Sequence, residues 1–262
     1  MGEIVSVSRR TDIPAFHWEW FARSLEGGSV SVKNPFSGRP YTVSLLPEDV
    51  ACFVFWTKNP APALGKIEEL AGKGQPVFFH VTINGYGGFL EKKVPSWRSV
   101  AGAVRDLSDV LGKDRVFWRF DPLLPFEEGG RTLARFRRIA DSISHRVSRC
   151  YVATFHPYVK AARRLSAHDF PEKGGHDAGL LRKLLSAGRE YGLHMLSCAS
   201  AALAEAGFEK GACIDGEYLL GFVSARGGMK KNPTRPGCGC TDSRDIGTYG
   251  SCRHACLYCY AT

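Results

Sequence analysis

The sequence predicts an α/β fold built on a parallel barrel of the TIM type, either closed or incomplete. Seven short, mostly apolar runs alternate with amphipathic segments, which is the pattern of repeated βα units around a buried parallel sheet. The length of 262 residues is that of about one such barrel and suffices for one hydrophobic core. No G-x-G-x-x-G or G-x-x-x-x-G-K-[ST] pattern follows any run, so an open nucleotide-binding sheet lacks its usual signature.

Each of the seven runs has the length and composition of a strand that is buried on both faces. They are short and rich in β-branched and aromatic side chains, and polar residues, glycine or proline bound most of them. We therefore predict strands at Ile4–Ser8, Ser29–Lys33, Cys52–Thr57, Val77–Ile83, Val116–Phe120, Tyr151–Phe155 and His194–Ser197.

Four of the intervening segments carry helix signals. A proline suited to a first helical turn opens two of them, a single apolar face marks the third, and Asp177 suits the N-cap of the fourth. The predicted helices are Pro14 to Glu26, Pro95 to near Gly112, Arg131 to His145, and the segment after Asp177 that carries Leu180, Leu181, Leu184 and Leu185.

The composition is that of a globular protein with a positive charge. Lys and Arg number 35 against 26 Asp and Glu, so the formal net charge is +9. This favours an anionic partner such as nucleic acid or a phosphorylated metabolite, although a solvated basic surface also explains it.

No apolar stretch could span a bilayer and the first residues have no secretory pattern, so we expect a cytoplasmic protein with no membrane partner. In a reducing compartment, nine cysteines indicate metal or redox chemistry and not disulfides.

Polar residues followed by proline or glycine end several of the predicted strands. In a parallel barrel these ends meet at the C-terminal face, where catalytic groups are found. Asp, Asn, Thr and Pro also make ordinary turns and caps, but turns do not require Arg or Lys at a buried strand end. The candidate catalytic residues are Arg10, Asp12, Lys58, Arg119 and Asp121.

Three cysteines near residue 262 have the spacing C-x3-C-x2-C. They are Cys252, Cys256 and Cys259, and Tyr258 directly precedes the third. Three thiolates bind three irons of a cubane 4Fe-4S cluster and leave the fourth iron open to a small molecule. A structural zinc site would also use thiolates, but it needs a fourth protein ligand. We expect His254 to shape this loop and not to replace a thiolate.

We expect one domain, with the barrel at residues 1–226 and a cysteine-rich loop at residues 227–262. Residues 227–251 are rich in Gly, Pro, Lys and Arg, which is typical of a loop. Because the three cysteines come after all the strands, the loop must fold back onto the C-terminal ends of the strands. There it would lie within reach of the five candidate catalytic residues.

The cysteine spacing and the ending Cys256-Leu-Tyr-Cys-Tyr-Ala261 resemble the radical S-adenosylmethionine (SAM) enzymes, in particular the lineage of spore photoproduct lyase. The resemblance implies that Cys252, Cys256, Cys259 and Tyr258 bind a 4Fe-4S cluster together with SAM. It also implies that the reduced cluster cleaves SAM to a 5'-deoxyadenosyl radical, with an electron donor such as ferredoxin or flavodoxin as partner. Those enzymes usually carry the motif near the start of the barrel, whereas here it follows the barrel.

The whole chain resembles an uncharacterised prokaryotic family of unknown function that has such a C-terminal cluster. The segments that carry this resemblance are Ser8-Arg-Arg-Thr-Asp-Ile-Pro14, Thr57-Lys-Asn-Pro60 and Cys213-Ile-Asp-Gly216, together with the terminal cysteines. It implies an architecture and no substrate.

Four further cysteines form a candidate second set, namely Cys198, Cys213, Cys238 and Cys240. A C-x-C pair with two distant cysteines suits a closed tetrathiolate zinc site or a second 4Fe-4S cluster. Unliganded thiols buried for packing are the alternative. We assign the remaining two, Cys52 and Cys150, to the core because they lie in strand-like surroundings.

Three functions are open at this stage. The first is a radical SAM enzyme with a small-molecule substrate, and the second is an enzyme of the same chemistry that repairs or modifies nucleic acid. The third is a non-catalytic zinc or iron-sulfur protein that binds nucleic acid through its positive charge.

Overall fold

The computed structural model describes residues 2–170, 175–223 and 230–261. Within these ranges the β-strands are β1 (Glu3–Val7), β2 (Ser29–Lys33), β3 (Pro40–Ser44), β4 (Val50–Thr57), β5 (Val77–Thr82), β6 (Val116–Leu123), β7 (Arg149–Thr154), β8 (His194–Ser197), β9 (Glu209–Lys210) and β10 (Arg244–Asp245). The α-helices are α1 (Ile13–Phe16), α2 (Trp18–Glu26), α3 (Leu64–Gly72), α4 (Trp97–Leu111), α5 (Gly129–Ile143), α6 (Val159–Ser166), α7 (Ala178–Glu190), α8 (Ala201–Glu205) and α9 (Gly216–Leu220).

A parallel sheet organises the molecule. In the described part of the chain it has eight strands in the order β10-β1-β4-β5-β6-β7-β8-β9, and every neighbouring pair is parallel. The predicted α/β class and parallel sheet are therefore confirmed. β9 and β10 are the two edge strands, and no pairing between them closes the sheet within the described residues.

The prediction that Ser29–Lys33 is a strand is confirmed, but its assignment to the parallel sheet is wrong. β2 pairs antiparallel with β3 in a separate hairpin, in which Val30 lies opposite Val43. Its residues alternate between exposed and buried, with the two valines inside and the serines and lysine outside. Such alternation is the mark of a strand with one wet face, unlike the continuous burial of β4.

Each face of the parallel sheet has its own hydrophobic cluster. The helix face carries Phe55, Phe79 and Trp118, which pack with helix residues such as Phe21 and Phe136. Phe55 and Phe79 stack with ring centroids 4.6 Å apart. The inner face is defined by a second cluster that contains Cys52, Phe78, Phe117, Tyr151, Leu196, Ile214 and Cys240. Because side chains alternate along each strand, the next inner-face positions in β5 and β6 are His80 and Arg119.

The observed helices lie where the sequence predicts them, but several begin or end at different residues. The predicted helix from Pro14 to Glu26 is divided, since α1 ends at Phe16 and α2 begins at Trp18. Asp177 caps α7 as predicted, because its side chain accepts a hydrogen bond from the Leu180 N–H at 2.8 Å. Among the described helices, none combines the length and the apolar character that crossing a membrane requires.

The segment after residue 230 contributes to the sheet as well as forming loops. β10 pairs with β1, and Asp245 lies opposite Ser6. The expected boundary between the barrel at 1–226 and the loop at 227–262 lies outside the described residues. The sequence predicts only loop for this segment, whereas in the structure its residues Arg244–Asp245 form the strand β10 of the sheet.

Candidate metal centre at the C-terminal edge of the sheet

The three terminal cysteines lie in one pocket at the C-terminal edge of the sheet. Cys252, Cys256 and Cys259 line it together with residues at or just after the ends of β1, β4 and β5. Three of the candidate catalytic residues share this pocket, namely Arg10, Asp12 and Lys58. The other lining residues are Ser8, Arg9, Thr11, Trp56, Thr57, Thr82, His254, Tyr260 and Ala261.

Asp12 anchors the cysteine loop to the sheet. Its carboxylate contacts His254 Nε2 at 2.7 Å and accepts the Lys58 backbone N–H at 2.7 Å. The same carboxylate caps α1 by accepting the Ala15 N–H at 3.0 Å. Asp12 and His254 are both buried, so their contact is shielded from water. Asp12 therefore acts on the loop through His254, and its charge is already engaged inside the protein.

A second anchor is the buried group of Lys58, Glu91, Tyr258 and Asn84. Lys58 Nζ lies 2.8 Å from Glu91 Oε1 and 2.9 Å from the Tyr258 hydroxyl. The Tyr258 hydroxyl donates to Glu91 and accepts from Asn84 Nδ2 at 3.1 Å. Burial opposes the charge of Lys58, but Glu91 together with Cys256 and Cys259 outweighs burial and holds the pKa of Lys58 above its ordinary value. Burial likewise opposes ionisation of Glu91, yet Lys58 together with the Tyr258 hydroxyl and the Gly87 backbone holds the pKa of Glu91 below its ordinary value. The two form a charged pair.

Backbone contacts complete the docking of the loop. The Leu257 N–H donates to the Leu90 carbonyl at 3.1 Å, and the Lys93 N–H donates to the His254 carbonyl at 3.0 Å. Arg164, in α6, donates to the Leu257 carbonyl at 3.1 Å and also to the carbonyl of Cys259. The chain on both sides of Tyr258 is thus fixed by hydrogen bonds.

The thiols of the loop lie in a shielded setting. Burial raises the pKa of Cys256 to about 12, with Lys58 opposing the rise, and burial also raises the pKa of Cys252. All three thiols line the same pocket. Thiolate ligation here would release protons, and the charge of Lys58 would stabilise the thiolate of Cys256.

Arg9, Arg10 and Asp245 give the other side of the pocket a net positive charge. Arg9 Nε and Arg10 Nε lie 3.6 and 3.7 Å from the Asp245 carboxylate. Asp245 also accepts hydrogen bonds from the hydroxyls of Ser6 and Ser8 at 2.6 and 2.7 Å. Two guanidinium groups share one carboxylate, so one positive charge is left over at the pocket wall.

The structure places Arg119 and Asp121 away from this pocket. Arg119 lies on the inner face, where it pairs with Asp121 and where its Nη1 donates to the Cys213 sulfur at 3.1 Å. Neither residue is among those that line the pocket. Asp121 and Asn84 also exchange hydrogen bonds through the Asp121 backbone, which links β6 to the Tyr258 group.

The second cysteine set comes together beside Arg119. The sulfurs of Cys198 and Cys213 are 3.2 Å apart. Cys213 and Cys238 pack against the inner-face cluster that contains Cys240, and the Cys240 N–H donates to Cys238 Sγ at 3.4 Å. Contacts with the thiols of Cys198 and Cys240 hold the pKa of Cys213 well below its ordinary value, against burial, and Arg119 adds to this. Cys52 and Cys150 are buried in the hydrophobic core, as expected.

Sequence reasoning missed three residues of the site. Arg9 precedes the predicted Arg10 in the same strand-end motif, so the signal was present. Glu91 and Asp245 carry no such signal, because one lies in an irregular loop and the other in a strand of two residues. Their roles come from contacts with residues far away in sequence, such as the Asp245–Ser6 pair, which are 239 positions apart.

The fold and the site define an α/β protein that has a cysteine-lined, partly cationic pocket at the C-terminal edge of a parallel sheet. The chain belongs to the family described as Domain of unknown function (DUF1848), whose model matches residues 4–261. No curated protein matches the sequence. Within residues 2–170, 175–223 and 230–261, no group of three or more His, Cys, Asp and Glu side chains has the arrangement of a preformed metal site.

Proposed function

We propose that the protein is an iron-sulfur enzyme of the radical SAM type. The observation that carries the proposal is that all three thiols of the C-x3-C-x2-C motif line one pocket, beside cationic strand-end residues. A single-ion zinc site would need a fourth ligand in this pocket, whereas a cubane with an open iron needs three thiolates only.

The donor set fits such a cluster. All three side chains are thiols, and each ligand of a cubane binds a different iron, so the ligands surround the cluster instead of converging on one point. Cys252, Cys256 and Cys259 would hold it, and when bound it would supply the electron that cleaves SAM to a 5'-deoxyadenosyl radical.

The residues around the pocket have separate tasks in this proposal. Arg9 and Arg10 offer the uncompensated positive charge that suits the carboxylate of SAM. Asp12 holds the loop through His254, and Lys58 with Glu91 holds it through Tyr258. Lys58 also places a positive charge near the thiolate of Cys256. We also propose that the sheet is an incomplete barrel of the TIM type, which its all-parallel order and helix-covered face support.

Nucleic acid is the second candidate substrate, since the charge of +9 favours polyanions. Retention of the reconstituted protein on a polynucleotide column, lost steeply as salt increases, would support it. Retention that does not depend on salt, or no retention, would favour a small-molecule substrate.

The test of the main proposal is formation of 5'-deoxyadenosine. We expect anaerobically reconstituted protein, reduced and supplied with SAM, to release 5'-deoxyadenosine, and the variant with Cys252, Cys256 and Cys259 all changed to Ala to release none. Cys52→Ala is the matched control, because Cys52 is a buried thiol of the inner-face cluster outside both cysteine sets. Fully iron-loaded wild type that leaves SAM intact would contradict the proposal, as would equal product from the triple variant.

A further inference from the structure

Four buried or half-buried thiols meet on the inner face, although they come from three separate parts of the chain. Cys198 follows β8, Cys213 follows β9, and Cys238 and Cys240 precede β10. The sulfur atoms of Cys198 and Cys213 are 3.2 Å apart, and Cys213 and Cys238 pack against the inner-face cluster that contains Cys240. Packing alone does not require four thiols, from both edges of the sheet, to lie against one another.

The backbone around these thiols points N–H groups at sulfur. The Ile214 N–H donates to Cys240 Sγ at 3.5 Å, and the Cys240 N–H donates to Cys238 Sγ at 3.4 Å. Gly237, with a φ of +77°, allows the turn that brings Cys238 to this place. Sulfur is a weak acceptor as a neutral thiol, and such donors are better used by a thiolate.

Cations surround the same thiols. Arg119 donates to Cys213 Sγ at 3.1 Å, and Arg235 Nη2 lies 3.8 Å from Cys198 Sγ. Neutral thiols do not need two guanidinium donors. Four thiolates around one divalent cation carry a net charge of −2, which Arg235 would offset, together with Arg119 in part because Arg119 also pairs with Asp121.

We propose that Cys198, Cys213, Cys238 and Cys240 bind one zinc ion in a closed tetrahedral site. Zn–S bonds of about 2.3 Å place tetrahedral sulfurs about 3.8 Å apart. The observed 3.2 Å between Cys198 and Cys213 is about 0.6 Å below this value, so these two thiols need to move apart only slightly to share one ion. The thiolates of a 4Fe-4S cluster each bind a different iron and lie farther apart, so the contacts favour one ion over a cluster.

This site joins the two edges of the sheet. The Thr241 N–H donates to the Ile214 carbonyl at 2.9 Å, and the Gly216 N–H donates to Thr241 Oγ1 at 3.0 Å. These bonds tie the segment after β9 to the segment before β10, and the zinc ion would tie the same two segments to the end of β8. The role is structural, because four protein ligands leave no position for substrate. It is independent of the proposed SAM chemistry.

The first experiment measures metal in the full-length protein. We expect wild type to contain about one zinc per chain, and Cys213→Ser and Cys240→Ser to contain less than about a tenth of that. The triple variant of the terminal cysteines should keep its zinc, and so should the Cys52→Ala control. This separates the site from the proposed iron-sulfur centre. Wild type without zinc, or variants that retain it, would overturn the proposal.

A second experiment remains informative if the serine variants fail to fold. Zinc is removed from wild type and from the triple variant with a chelator under reducing conditions, and Co²⁺ is then added. Absorption bands of tetrahedral cobalt with four thiolate ligands, displaced by one equivalent of Zn²⁺, would support the site in both proteins. About four irons in the triple variant, or a disulfide between Cys198 and Cys213 in its intact mass, would overturn it.

Discussion

Lys58 shows how single residues hold this site together. It is 15% exposed, and its partner Glu91 is 4% exposed, so their charges are compensated mainly by each other and by the Tyr258 hydroxyl. Removing one member of such a pair leaves the other charge buried without a partner.

Lys58→Met should therefore lower the free energy of unfolding by about 3 to 5 kcal/mol, as measured by urea denaturation. Lys66→Met is the matched control, because Lys66 pairs with Glu19 on the surface, where both side chains are well exposed. It should cost less than about 1 kcal/mol. Equal losses of unfolding free energy in the two variants would show that the buried Lys58–Glu91 pair stabilises the protein no more than an exposed pair does.

At this scale the sequence predicts the residues that follow a strand better than it predicts their partners. Arg10, Asp12 and Lys58, predicted from the rarity of charged side chains at buried strand ends, line the pocket with the terminal cysteines, and their catalytic role stays a prediction. Arg119 meets the same criterion, yet it lies on the inner face at the second cysteine set. From the sequence alone, we could not tell that Arg119, which lies within a strand, would face away from the pocket, whereas charged residues just after a strand would face into it.

Elements with long apolar runs are predicted well, whereas two-residue strands are not. β4, β5, β6 and β7 are recognisable because their burial on both faces excludes polar residues. β9 and β10 have no such run, since each has only two residues and depends on its neighbouring strand. Besides its backbone pairing with β1, β10 is held by the side chain of Asp245, which accepts hydrogen bonds from Ser6 and Ser8.

Asp245→Asn should loosen this element specifically. The change leaves Arg9 and Arg10 without their carboxylate, so we expect a loss of about 2 to 4 kcal/mol in urea unfolding. Hydrogen exchange of the β1 amides should become faster as well. Asp109→Asn, in an exposed pair with Arg146, is the control and should change stability by about 0.5 kcal/mol or less. Unchanged exchange in β1 would refute the role given to Asp245.

The whole molecule has two cysteine sets in two different settings. One lines the pocket at the C-terminal edge, and the other lies on the inner face between the edge strands. Trp56 lies between the two settings, because it lines the pocket and also packs against the inner-face cluster that contains Cys240.

If zinc joins the sheet edges, its removal should open the molecule locally and leave the rest folded. After chelation under reducing conditions we expect faster hydrogen exchange at the amides of Gly216 and Thr241. The amides of β4 and β5, in the middle of the sheet, should keep their protection. Loss of protection throughout the sheet would mean that the ion supports the whole fold, and no change would mean that it supports neither edge.

The contact between Asp12 and His254 has a consequence for the order in which the protein folds. These residues are separated by 242 positions, and the Ser6–Asp245 pair by 239. Closing such long loops is slow, and its entropic cost is offset only when many other contacts already hold the two ends near each other. The central strands must therefore assemble before the cysteine pocket takes shape, so that the terminal cysteines come together among the last events in folding.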